Sequence, residues 1–236
     1  MREMCVAIAF SQGARSVLVG ELINSDTFCS AFAEFDPARL RHFSATQIVR
    51  DHWRELSVVR FRTKVSRIVH CARVLHAIEM EHGTFDNFLR TFAIPQRIRT
   101  RADIDVFWSR FDALQTNLKR RRMPFFQSTT SLLQLLLQLD YDCIKPDLIV
   151  MRLARRIGLV SRETGDRALR RVTRAIQEYA VFKGIRANAM DWYLLAFGGQ
   201  TGAKRELNQH FCPSHGQCNN VLCTVGRDHL CCDFEH

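Results

Sequence analysis

The residues of this 236-residue chain that could do chemistry gather in two places. One is the last 27 residues, where five of the nine cysteines (Cys212, Cys218, Cys223, Cys231 and Cys232) stand among His210, His215, His229 and His236. Soft thiolates and imidazoles this close together read as a small metal module. A secreted disulfide framework would spread its cysteines along the chain instead. The other place is Lys145-Pro146-Asp147, directly ahead of the apolar, arginine-bearing stretch Leu148–Leu159. Pro then Asp opening such a run reads as a helix start, with Asp147 as its cap. Ser11 and Cys29 have no paired base in the local sequence, so a nucleophilic enzyme has no support.

The elements that position these residues read as helices. No sustained period-2 alternation and no Asn-Gly or Asp-Gly turn between apolar runs is present. Val58–Met80 repeats apolar residues every three or four positions (Val65, Ile68, Val69, Ala72, Leu75), and Phe85–Phe92, Val106–Leu118, Ser131–Leu139 and Leu148–Leu159 do the same. Pro37, Pro95, Pro124 and Pro146 mark boundaries. The N-terminal run, Met1 to Arg15, reads as a first core helix, and the fold class as all-α. His42, His52, His70, His76 and His82 read as packing or surface residues, and Trp53, Trp108 and Trp192 as core aromatics.

Composition narrows the class. A hydrophobic content of 47% excludes disorder, and 11 Gly with 5 Pro excludes a collagen-like or low-complexity chain. The longest apolar stretch, Ser131–Leu139, is under half of the ~20 residues that a membrane span needs. With no basic leader and no small-residue cleavage site, the reading is a cytoplasmic protein with no membrane partner. Lys and Arg number 34 against 24 Asp and Glu, a net charge of +10 that calls for a polyanionic partner. Leu118–Arg174 alone carries 13 basic against 5 acidic residues. They include Lys119-Arg120-Arg121-Arg122, the Arg152, Arg155 and Arg156 group, and Arg167, Arg170, Arg171 and Arg174.

Two motifs at a fixed separation carry a resemblance. The segment from Pro146 to Leu159, P-D-L-I-V-M-R-L-A-R-R-I-G-L, resembles the P-V-D-T-H-V-x-R-V-A-R-R-L-G-L stretch of the helix-hairpin-helix superfamily of DNA glycosylases. Met123–Ser131 falls on that superfamily's hairpin, L-P-G-V-G-x-K-T-A, and Thr129 stands at the lysine position, 18 residues before Asp147. Closer likeness is to DNA-3-methyladenine glycosylase I. Phe28–Pro37 is similar to its Y-R-x-x-F-x-x-F-D-P, Arg60–Lys64 with Ile68 to its R-x-R-x-K-I helix, and Leu118–Thr130 to its K-R-G-F-K-F-V-G-S-T run. Phe10-Ser11-Gln12 falls where the superfamily has its L-S-x-Q helix end.

The resemblance implies a two-lobed helix-hairpin-helix glycosylase fold: 1–30 with 161–208 as one lobe, 31–160 as the other, and 209–236 as a Cys/His extension. It implies a monofunctional glycosylase that flips a modified base from double-stranded DNA and hydrolyses its N-glycosidic bond, with no obligate protein partner evident. Asp147 would be the catalytic carboxylate, stabilising the sugar cation. Gln12 would be the wedge that fills the vacated stack, and Arg121, Arg122, Phe126, Gln127, Ser128, Thr129 and Arg152 would contact DNA. Thr129 in place of the lysine removes the Schiff-base nucleophile, and Phe125 and Gln127 replace the hairpin glycines, which puts the standard phosphate clamp in doubt. The glutamate and tryptophan of the methyladenine pocket are replaced by Phe10 and Leu18. Damaged or alkylated bases, or glucosylated hydroxymethylcytosine of phage DNA in an antiviral role, are the expected substrates. A non-catalytic DNA-binding protein on the same scaffold is the alternative.

Asp191–Gly198 resembles the helix before the iron–sulfur loop of the endonuclease III branch, with Gly202 at its first cysteine. Beyond Gly202 stand Cys212, His215, Cys218 and Cys223, a C-x2-H-x2-C-x4-C set that suits a structural Zn2+. Cys231 in place of His215 leaves an iron–sulfur cluster as the alternative.

Overall fold

A computed structural model describes residues 1–11, 13–14 and 16–197, and among these no strand occurs. Gln12 and the whole Cys/His cluster, including Cys212, His215, Cys218 and Cys223, lie outside the described residues. The helices in chain order are α1 (Arg2–Phe10), α2 (Ser16–Ile23), α3 (Asp26–Ala31), α4 (Pro37–Leu40), α5 (Ala45–Leu56) and α6 (Thr63–His82). They continue with α7 (Phe85–Arg90), α8 (Arg101–Arg120), α9 (Thr129–Gln138), α10 (Leu148–Arg156), α11 (Asp166–Lys183) and α12 (Ala187–Phe197). Local chemistry sets many of the starts. Ser25, Asp36, Ser44, Thr84 and Asp147 precede α3, α4, α5, α7 and α10, and each accepts a first-turn N–H on its side chain. The periodicity over Val58–Met80 begins too early, because Arg60 adopts φ +77 and Ser57–Val59 forms a separate 3-10 turn before α6.

Contacts group the chain into two units. The first comprises Met1–Ile94 and Val106–Gln138. Its α6 packs against α1, α4, α5 and α7, and α1 also packs against α9. Phe28, Phe32, Phe88, Phe107, Phe111 and Phe126 are fully buried there, with the Phe28 and Phe32 rings 4.9 Å apart edge to face. Among the described residues, the second comprises Pro95–Asp105 and 139–197. Here α10, α11 and α12 pack on one another around Ile144, Val150, Met151, Val172, Ile176 and Leu194. Arg97 pairs with Asp140, and the Ile98 N–H donates to Asp142, which fastens the short 95–105 segment to this unit.

The grouping differs from the lobes that the resemblance implies. Residues 1–30 fall with the middle of the chain, because Met4, Cys5 and Ile8 of α1 are buried where α1 meets α6 and α9. Trp108 is buried, as a core aromatic should be, but Trp192 is 60% exposed. Among the described residues no buried side-chain nitrogen or oxygen lacks a hydrogen-bond partner, and no helix is long and apolar enough to cross a membrane.

Candidate active site and hairpin

Asp147 is held by the helix it starts. Its Oδ1 accepts the N–H groups of Ile149 at 2.9 Å and Val150 at 3.2 Å, capping α10. Its Oδ2 lies 3.7 Å from the Lys145 ammonium, and the side chain is 25% exposed. One oxygen therefore serves the fold, while the other belongs to a carboxylate with a fixed direction that solvent still reaches. Pro146 has no N–H, so the turn ahead of α10 is held through Lys145: the Lys145 carbonyl accepts the Asp147 N–H at 2.8 Å. The Lys145 N–H donates at 2.7 Å to Asp191 Oδ1, a buried carboxylate on α12. Asp191 is pushed up to about 6, first by burial and then by the negative charge of Asp147, against the pull of the Lys145 amide and ammonium. Sequence reasoning missed Asp191, whose partner lies 46 residues away.

The hairpin joins α8 to α9 within the first unit. Gln115 of α8 donates to the Gln127 carbonyl at 3.1 Å and to the buried Thr129 hydroxyl at 3.4 Å, and the Cys71 thiol of α6 reaches the Pro124 carbonyl. Ser131 donates to the Phe125 carbonyl, and its own N–H meets the Ser128 hydroxyl. Phe125, at a glycine position of the superfamily, keeps a left-handed backbone with φ +70, and Arg122 has φ +55. A side chain at positive φ carries a steric cost at both positions. Position 129 bears a buried hydroxyl, not an amine.

The expected DNA-contact residues are placed unequally. Arg122 and Ser128 are exposed, and Gln127 donates its side-chain amide to the Met123 carbonyl at 2.9 Å. Phe126 is fully buried with its ring 5.0 Å from that of Phe125, so it packs the core and offers no face to DNA. Arg121 forms a bidentate pair with Glu81 and lies over the Phe88 ring, which holds its guanidinium against the protein. Arg152 and Arg155 both approach Glu163, Arg170 pairs with Asp166, and Arg174 with Asp105. Lys119, Arg120, Arg156 and Arg167 are exposed. On either side of Gln12, Ser11 and Gly13 are anchored. Lys64, fully buried, donates to the carbonyls of Ala9 and Ser11, and Arg60 donates to that of Gly13.

Comparison with known proteins bears on the segment that carries the hairpin. Residues 20–136 match the family described as methyladenine glycosylase. No curated protein and no solved structure matches the chain. The matched stretch runs from α2 into α9 and stops short of Asp147. Across that stretch, hairpin included, the chain is similar to the methyladenine glycosylase family.

Proposed function

We propose that the protein is a monofunctional DNA glycosylase with Asp147 as its catalytic carboxylate. The family that residues 20–136 match is one of DNA glycosylases. The observation that carries the finer reading is the state of Asp147: one oxygen is spent on the cap of α10, the other lies 3.7 Å from the Lys145 ammonium, and the side chain is 25% exposed. A fixed anion of this kind stabilises positive charge that develops on a sugar. In the reaction the C1′–N bond breaks with its electron pair going to the base, and water adds to C1′ while giving its proton to Asp147. The exposed cations Lys119, Arg120 and Arg122 supply phosphate affinity that does not depend on sequence. Gln12 is the wedge in this reading, and Lys64 and Arg60 hold the carbonyls of its chain neighbours Ser11 and Gly13. Thr129 offers no amine for a Schiff base, so the product is an abasic site in an intact strand.

The base belongs to a panel: duplexes with methylated, deaminated or oxidised bases, and phage DNA with glucosylated hydroxymethylcytosine. Wild type should leave abasic sites on one of them, and Asp147→Asn should lower that rate by about 10²-fold or more. Asn still caps a helix well, so the melting temperature and duplex binding of the variant should be unchanged. Tight duplex binding with no abasic site on any substrate points to the binding protein instead. A covalent adduct trapped by borohydride refutes the monofunctional step.

A further inference from the structure

We propose that Asp191 is a positioning residue for Asp147, clamping the backbone of Lys145 and so fixing the turn from which the Asp147 carboxylate meets the sugar. The inference rests on the glycosylase reading. Its geometry lies wholly within the second unit. Asp191 is 6% exposed on α12, which packs against α10, the helix that Asp147 caps. A buried carboxylate that accepts a main-chain amide at 2.7 Å is a costly way to hold a turn, since a neutral side chain would do so without desolvating a charge. Its charge therefore has a use beyond the hydrogen bond. Once ionised, Asp191 adds a second negative charge behind Asp147, and a cationic sugar gains from both.

The surrounding charges do not cancel this effect. Lys145 and Asp147 act on Asp191 from the turn, and Cys143 just ahead of it is a buried thiol with its pKa raised well above the ordinary range by burial and by Asp191 and Asp142. On α10, Arg152 and Arg155 approach Glu163; on α11, Arg170 pairs with Asp166, and Arg174 with Asp105 and Glu178. Burial and the Asp147 charge raise Asp191 to about 6, so it gains its charge inside the range where such an enzyme is assayed.

The test uses the full chain, single-turnover excision of the base that wild type removes, and pH from 4.5 to 8. Wild-type rate should climb through pH 6. Asp191→Asn keeps an acceptor for the Lys145 amide and removes the charge, so its rate should stay within about twofold of wild type at low pH while the climb near pH 6 disappears. Asp191→Ala loses both functions and should fall at least tenfold at every pH. An Asn variant that retains the climb, or an Ala variant as fast as wild type, overturns the proposal. Carboxyl carbon NMR of the free protein separates this from failure of the glycosylase reading. If wild type excises nothing on the panel, that reading falls. The clamp then stands only if the Asp191 carboxyl titrates near 6 and Asp191→Ala speeds exchange of the Lys145 amide proton. An Asp191 titration in the ordinary carboxylate range, or an unchanged exchange rate, rejects it.

Discussion

At the scale of single residues, two buried ionisable side chains hold the two turns on which the proposed reaction depends. Asp191 does so in one unit and Lys64 in the other. Lys64 is driven down to about 8 from an ordinary 10.5, by burial first and then by Arg67 and Arg60. Between about pH 8 and 10.5 the unfolded chain still holds a proton that the folded one has released, so stability rises with pH across that window. A urea midpoint that climbs from pH 8 to 10 in wild type should be flat in Lys64→Met. The same variant leaves the Ala9 and Ser11 carbonyls without their donor, and should cost about 1–3 kcal/mol at pH 7. An equal climb in both proteins would assign the effect to another group. Residue type alone foretells Asp147, because a Pro-Asp pair before an apolar run has one ready meaning. It cannot foretell Asp191 or Lys64, since carboxylates and ammoniums are ordinarily surface groups and their partners here lie 46 and 53 residues away.

At the scale of elements, long periodic segments are legible in the sequence and irregular ones are not. The periodic run Leu148–Leu159 meets α10 at its first residue, and Ser131–Leu139 meets α9 within two residues at its start. Both are carried by repeated apolar spacing, and α10 by a cap as well. Phe126 turns to the core and away from DNA because it sits in a short turn, where no period shows which way a ring points. Trp192 fails differently, being exposed on a helix whose buried face is marked by Asp191 and Leu194. The turn between α1 and α2 adds a constraint of its own. Gly13 has φ +71, and a methyl there would lie 2.7 Å from the Arg60 guanidinium. Gly13→Ala should therefore cost about 1–2 kcal/mol from backbone strain and also displace Arg60. Thermal melts of Gly13→Ala against Gly13→Ala with Arg60→Ala measure the two parts, and a single variant as stable as wild type would contradict the turn as described.

At the scale of the whole molecule, the charge balance calls for a polyanion, but net charge does not choose among arginines. Arg121, Arg170 and Arg174 are committed to carboxylates of the protein, whereas Lys119, Arg120 and Arg122 are exposed. We further propose that Cys212, His215, Cys218 and Cys223 bind one structural Zn2+. Metal analysis of purified protein should give one zinc per chain, reduced by Cys212→Ser, and strong chelation should lower the melting temperature. Iron with visible absorbance would name the cluster instead, and absence of both metals would remove the proposal.

The seam between the two units falls inside α8, between Asp105 and Val106, after an earlier crossing at Pro95 and before a later one at Leu139. Neither unit is a continuous stretch of chain, so neither can be excised, shuffled or fused as a cassette. A polypeptide that stopped at Gln138 would hold every residue of the first unit, yet it would also carry Arg97 and Ile98 stripped of Asp140 and Asp142.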